Sequence, residues 1–137
     1  MKMYREILEI ETHRPDEFID VTEKVERIVK RSKISKGMCF INSLHNTAAI
    51  FVQENDEDIF KDTKKLFEKI LPLNGSYHHD YEGNINATAH QKTNLIGSSV
   101  TLPVENGRLM LGTWQRIIFA EWFEKRDRKI VVTVMGD

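Results

Sequence analysis

The stretch V-T-L-P-V-E-N-G-R-L-M-L, Val100 to Leu111, decides the fold class. Asn106-Gly107 stands between two segments rich in apolar residues. That dipeptide is the strongest short-range hairpin signal, because both central residues of a two-residue type I′ turn need positive φ. It makes Ser98–Val104 and Arg108–Leu111 antiparallel neighbours. Trp114–Phe123 and Lys129–Met135 read as two more strands that complete an antiparallel run. The mixed-sign turn Glu124–Arg128 between them reads as a solvated tip.

Upstream of the hairpin, residues 4–12 read as a strand. A helix starts at Asp20 or Thr22, both good N-caps, and carries Val21, Val25, Ile28 and Val29 on one stripe before Gly37 ends the segment. Met38–Leu44 and Ala48–Gln53 are short and rich in apolar and β-branched residues, two strands that meet near His45. A second helix is capped by Asp56, with Ile59, Phe60, Thr63, Leu66, Phe67 and Ile70 on one face, and it stops at Leu71-Pro72. A short helix over Ala87–Ile96, closed by Gly97, precedes the hairpin. The expected architecture is a single α+β domain over residues 1–137. It has a mainly antiparallel β-sheet or sandwich, two main helices and one short one. The βαβ alternation of a nucleotide-binding fold is missing.

A chain of 137 residues is the usual size of one domain and can bury a core without staples. Lys plus Arg number 20 against 21 Asp plus Glu, a balance that carries no electrostatic footprint for nucleic acid. One cysteine excludes an internal disulfide and multi-cysteine zinc motifs, and Cys39 in M-C-F-I reads as a buried, inert thiol. The start M-K-M-Y-R-E is charged too early for a signal peptide, and no apolar run reaches membrane length, so the cytoplasm is the expected compartment. The P-loop, the dinucleotide-binding glycine motif, the H-E-x-x-H zinc motif and the G-x-S-x-G nucleophile elbow are all absent.

The chemistry gathers in Y-H-H-D-Y-E-G-N-I-N-A-T-A-H, Tyr77 to His90, which holds three of the five histidines. A solvated loop, a metal site and an acid–base site for a charged substrate all fit that composition. His45, His79 and His90 are spaced too widely to form a local motif, although three imidazoles suit a zinc-like ion and leave a coordination position open.

Three blocks carry a resemblance. S-L-H-N-T-A-A-I-F-V-Q-E-N-D, from Ser43, resembles the H-T-T-A/S-A…N-E-N pattern of the YjbQ-like family, also called the secondary thiamine-phosphate synthase family. Y-H-H-D-Y-E-G-N…A-H-Q-K resembles that family's Y-x-H-D-x-E-G-N…x-H-x-K. L-I-G-S-S-V-T-L-P-V-E-N-G-R-L-M-L-G-T-W-Q resembles its L-L-G-x-S-x-x-P-V-x-x-G-R-L-x-L-G-T-W-Q. The blocks span nearly the whole chain at matching spacing. His45, His79 and His90 fall on motif positions, whereas His78 and His13 do not. Three departures bear on substrate detail. Asn46 stands in place of a hydroxyl residue, Thr93-Asn94 in place of a small pair, and Arg116 where glycine is common.

The resemblance implies a compact α+β unit assembled as a homotrimer. The implied reaction joins a hydroxymethylpyrimidine diphosphate to a thiazole phosphate with loss of pyrophosphate. It also implies a divalent ion, zinc in type, on His45, His79 and His90, with magnesium accompanying a diphosphate substrate. Lys92 and Arg108 are the implied phosphate contacts, Ser98, Ser99 and Gln115 the neutral hydrogen-bonding groups, and Glu54, Asp80 and Glu82 the carboxylates facing positive charge. Trp114 of the G-T-W-Q block is expected to pack beneath the site. Two other functions stay open: a metal-dependent hydrolase of a small phosphorylated metabolite, with Glu54 or Glu82 as base, and a non-catalytic anion-binding module.

Overall fold

In the computed structural model, residues 1–137 form eight strands and three helices. In chain order these are β1 (Lys2–Glu11), β2 (Glu17–Asp20), α1 (Thr22–Ser32), β3 (Gly37–Ser43), β4 (Ala48–Gln53) and α2 (Glu57–Ile70). There follow α3 (Asn84–Ile96), β5 (Ser99–Glu105), β6 (Arg108–Leu109), β7 (Arg116–Glu121) and β8 (Asp127–Gly136). The strands make two wholly antiparallel sheets, one of five in the order β1-β8-β3-β5-β6 and one of three in the order β2-β7-β4.

The alternation of side chains explains the layers. Cys39 and Ile41 of β3, Leu102 and Val104 of β5, and Ile130, Val132 and Val134 of β8 point to one face of the large sheet. There they meet Val25, Ile28 and Val29 of α1, and Ala48, Ile50, Ile117 and Phe119 from one face of the small sheet. The opposite face of the small sheet presents Ala49, Ala120 and Trp122 to Phe67 of α2 and Ala89 of α3. The small sheet is thus the middle layer. Its central strand β7 is buried on both faces from Ile117 to Glu121, which is why the sequence there runs I-I-F-A without alternation. No helix is long and apolar enough to cross a membrane.

The hairpin forms as its dipeptide requires. Val104 faces Leu109 and Glu105 faces Arg108, with Asn106 at φ 52° and Gly107 at φ 74°. Asp56 caps α2, its Oδ1 accepting from the backbone N–H groups of Asp58 and Ile59. Asp20 acts from just outside α1, its Oδ1 accepting from the N–H of Thr22. Cys39 is fully buried, and burial pushes its thiol up to about 12.

Several expectations are corrected. β3 and β4 do not pair beside His45, because the chain changes sheets between them; β7 and β8 are separated the same way. Arg128 is therefore no part of a solvated tip but is buried. The third helix runs from Asn84 and is nearly as long as α2. Its first residue is tied down where Asn84 Nδ2 donates to the carbonyls of Leu73 and Gly75. β2 was too short to announce itself, and β6 stops at Leu109. On α2 only Phe60 and Phe67 of the expected face are buried, while Leu66 and Ile70 stay exposed.

Candidate functional site

The segment 44–47 that carries the chain from one sheet to the other places His45 at the rim of the core. Its ring is fixed by a hydrogen bond from the backbone N–H of Lys129 to Nε2, 2.7 Å. An accepting Nε2 puts the ring proton on Nδ1. The preceding loop and α3 bring His79 and His90 together, ring centroids 4.6 Å apart and nearly perpendicular. Tyr81 lies edge-on to His79 at 4.9 Å.

His45 and His90 share a cavity of about 270 Å³, into which Glu82, Asn86, Arg126 and Arg128 also face. Glu82, Asn86 and His90 follow at intervals of four, so the first half of α3 and the residue two positions ahead of it supply one face of the cavity. Asn86 is only 3% exposed, yet its Oδ1 has no hydrogen-bond partner. An unpaired buried amide oxygen is costly in a folded chain, and at a cavity wall it marks a place for a donor that arrives from outside.

Two arginines line the cavity, each paired with a carboxylate. Arg128 donates to Glu121 and, through Nη2, to Thr47 Oγ1, which leaves Nη1 as the guanidinium nitrogen without a protein partner. Arg126 holds Glu124 and lies over the ring of Phe123. Burial and then the Arg128 charge push the His45 pKa down, against the opposing pull of Glu121. Burial and then His79 do the same for His90, against Glu82. Both imidazoles are held in their neutral form at neutral pH.

The remaining sequence-derived candidates lie elsewhere in the chain. Lys92 is buried, its Nζ 2.8 Å from Asp16 Oδ1 and over the rings of Trp122 and Phe67 at 5.5 and 5.7 Å. Glu54 lines a separate cavity with Trp114 and Arg116, and Arg116 is committed to Asp20 and Glu23 at 2.6 and 2.8 Å. Gln115 accepts the N–H of Gly112 through its Oε1. Arg108 faces a groove beside α1. Asp80, Ser98 and Ser99 are exposed, Ser99 in register with Asn42. Trp114 does not pack beneath a site; it is 72% exposed, because it precedes β7 and projects from the loop after β6. The buried indole is Trp122.

Sequence reasoning passed over Asn86, Glu121, Arg126 and Arg128. A signal for Arg128 was present, since Arg128, Ile130, Val132 and Val134 share one parity and the last three are plainly core. Asn86 could have been found by its spacing of four from His90.

For a divalent ion the donor chemistry is suitable, with imidazoles that burial keeps neutral. The arrangement is not assembled in one chain: no group of three His, Cys, Asp or Glu side chains is placed to hold an ion, and Lys129 already occupies Nε2 of His45.

Against known proteins, the family described as "UPF0047 protein YjbQ-like" matches residues 6–137. A UPF0047 protein of Methanothermobacter thermautotrophicus is 40% identical over 99% of this chain and 94% of its own length. The UPF0047 protein YugU of Bacillus subtilis is 39% identical over 94% of this chain and 97% of its own. A crystal structure from Sulfolobus solfataricus P2, described as a YbjQ-like protein of unknown function, superposes with TM-score 0.92 at 33% identity, covering 99% of both chains. A hypothetical protein from Aeropyrum pernix K1 superposes with TM-score 0.89 at 31% identity over 100% of both.

Proposed function

Since the chain belongs to the YjbQ-like UPF0047 family, we propose that it is a transferase acting on small phosphorylated metabolites at the His45–His90 cavity. The observation that carries the reading is the wall of that cavity. Arg126 and Arg128 supply positive charge, His45 and His90 supply neutral imidazoles, and Asn86 offers a buried amide oxygen that nothing in the protein satisfies. Such a set binds an anionic group and keeps a polar handle for its organic part.

The reaction we assign is the joining of a hydroxymethylpyrimidine diphosphate to a thiazole phosphate. The thiazole nitrogen forms the new C–N bond at the pyrimidine methylene as the C–O bond to the diphosphate breaks, and pyrophosphate departs with the electron pair. Arg126 and Arg128 face the leaving group, where fixed cations favour the charge that develops on it. Glu82 lines the same cavity and its charge acts on His90, suited to the positive charge left on the pyrimidine. Asn86 Oδ1 accepts from the amino group of the pyrimidine.

A divalent ion, zinc or the magnesium of a diphosphate substrate, would be held by His45, His79 and His90 and would add positive charge at the leaving oxygens. His45 must first release the N–H of Lys129. We further infer assembly as a homotrimer in the cytoplasm. In support, Trp114 and Met110, from one motif block, both stand bare on the single chain, large apolar side chains of the kind a second copy covers.

Incubation with both substrates, each alone, and with or without added metal tests the reading. Thiamine phosphate and pyrophosphate in equal amounts, formed only when both substrates are present, is the expected result. Release of phosphate or pyrophosphate from the pyrimidine diphosphate alone would make the chain a hydrolase instead. No turnover, with binding retained, would make it a binding module.

A further inference from the structure

The chain has a second cavity that the histidine site does not use. It lies between α1 and the β5–β6 hairpin, with a volume of about 690 Å³, inside the range of small-molecule pockets. We infer that this groove binds a small organic anion, a phosphate group carried on an apolar body of mononucleotide size.

Three features support a built site. Its floor is apolar: Val29 and Ile34 are core residues and Leu109 is half-buried between them and solvent. Its walls are fixed in advance. The N–H of Gly107, at the hairpin tip, donates to the carbonyl of Ser35, and the N–H groups of Ser35 and Lys36 both donate to the carbonyl of Asp137. A groove tied where the hairpin tip meets the segment after α1 loses less freedom there when a ligand enters.

The third feature is charge. Arg27, Lys30, Lys33 and Arg108 line the groove, and none of them makes an ion pair or side-chain hydrogen bond within the protein. The arginines make the point sharply. Arg5, Arg14, Arg31, Arg116, Arg126 and Arg128 each have a partner; Arg27 and Arg108 do not, and both face this one cavity. Of the two carboxylates on the rim, Glu23 is taken by Arg116 at 2.8 Å, so only Glu26 opposes the four cations. The groove therefore has a net attraction for an anion in a chain whose net charge is -1. Guanidinium groups recognise phosphate by paired hydrogen bonds. An inorganic anion would leave the apolar floor wet, and a neutral apolar ligand would leave the arginines unmatched. An anion on an apolar body uses both.

Arg108, a phosphate contact that the family resemblance implies, lies in this groove, but no residue of the groove belongs to the His45–His90 cavity, so binding here and turnover there are separately measurable. It is tested on the full chain by amide chemical-shift titration with AMP, adenosine and inorganic phosphate in parallel. AMP should give saturable shifts at Lys30, Lys33, Ser35, Gly107 and Leu109, with His45 and His90 unmoved. Adenosine and phosphate should each bind at least about tenfold more weakly. Arg27→Gln and Arg108→Gln, both at exposed positions, should each weaken AMP about tenfold while leaving the unliganded spectrum otherwise intact. Phosphate binding as well as AMP, shifts confined to the histidine cavity, arginine variants with wild-type affinity, or no saturable shift at millimolar AMP would each overturn it.

Discussion

Arg128 holds both oxygens of Glu121, Nε to Oε1 at 2.7 Å and Nη2 to Oε2 at 2.5 Å, where the two residues are 3% and 0% exposed. The pair joins β7 to β8, strands that follow one another in sequence but lie in different sheets. Thr12 Oγ1 donates to Glu121 at 2.6 Å, the N–H of Phe123 at 3.0 Å, and Arg128 also reaches Thr47. The network thus fixes the end of β1, the turn after β7 and the sheet-changing segment next to His45. It is the scaffold on which the cavity is built.

Breaking that pair from one side should be costly. Glu121→Gln or Arg128→Met leaves a buried charge without its partner, a loss of about 3–5 kcal/mol in denaturant unfolding. The double variant Glu121→Met/Arg128→Leu should cost less than the two single changes together, because no orphan charge remains. Burial pushes the Glu121 pKa up, but hydrogen bonds from Arg128, Thr12 and Phe123 outweigh it and hold the carboxyl below its usual range. A folded pKa below the unfolded one means that the contribution is present at neutral pH and lost as pH falls through the acid range. Acid unfolding followed by circular dichroism should therefore be less pH-dependent in Glu121→Gln. A single variant within about 0.5 kcal/mol of wild type, the spread of ordinary surface changes, would show the pair to be energetically idle.

The two tryptophans should separate stability from assembly. Trp122 packs edge-on to Phe18 and Phe67 at 5.5 Å in each case and is 1% exposed. Trp122→Ala should cost about 3–5 kcal/mol. Trp114→Ala should leave the fold of the single chain intact and shift the protein toward monomer in sedimentation velocity. A Trp114→Ala variant with an unchanged sedimentation profile would remove the indole from the interface.

The contrast between these indoles shows what sequence could and could not say. The Asn106-Gly107 turn and the Asp56 cap were legible because each is decided by local backbone chemistry. The stripe of α1 was legible because its period matches its burial. The change of sheet at 44–47 was not, since an apolar strand reads the same whichever sheet accepts it. Trp114 and Trp122 could not be told apart by residue type, and only the position of β7 sorts them. At the site, resemblance marked His45 and His90, and the structure adds Asn86, Arg126 and Arg128 beside them. Lys92 was read as a phosphate ligand from its motif position. Its place two residues after His90 turns it to another face of α3, toward Asp16.

Glycine is required where strands crowd. Gly37 and Gly136 stand opposite each other across β3 and β8. A Cβ on Gly37 would fall on the carbonyl oxygen of Met135, and one on Gly136 on that of Lys36. Backbone cannot yield as a side chain can, so Gly37→Ala should cost at least about 1–3 kcal/mol. Gly83 is different: nothing lies near its missing side chain, and its φ of 88° alone sets the penalty for Gly83→Ala, about 1–2 kcal/mol. Melting temperatures that rank Gly83→Ala as the worse change would mean that β3 and β8 can part at that end.

The site itself is tested by treating the three motif histidines and their neighbour differently. His78 and His79 are both exposed, but it is the ring of His79 that packs against His90, centroids 4.6 Å apart. His45→Ala, His79→Ala and His90→Ala should each lower retained metal after dialysis at least about tenfold and lower turnover in parallel, whereas His78→Ala should change neither. In chelator-treated protein, the ring resonances of His45 and His90 should titrate below the usual histidine range, because burial first and neighbouring charge second disfavour their protonation. A folded pKa depressed in this way adds stability that is complete above the unfolded histidine pKa and is lost as pH falls below it. Turnover carried by neutral imidazoles should lose its acid limb in that same window. His45→Ala carries one further consequence, since it also strands the N–H of Lys129 and should loosen the start of β8 in hydrogen exchange. Loss of activity in His78→Ala with retention in His79→Ala would show that the neighbouring ring is the working one. Full activity in all four variants would place the chemistry elsewhere in the molecule.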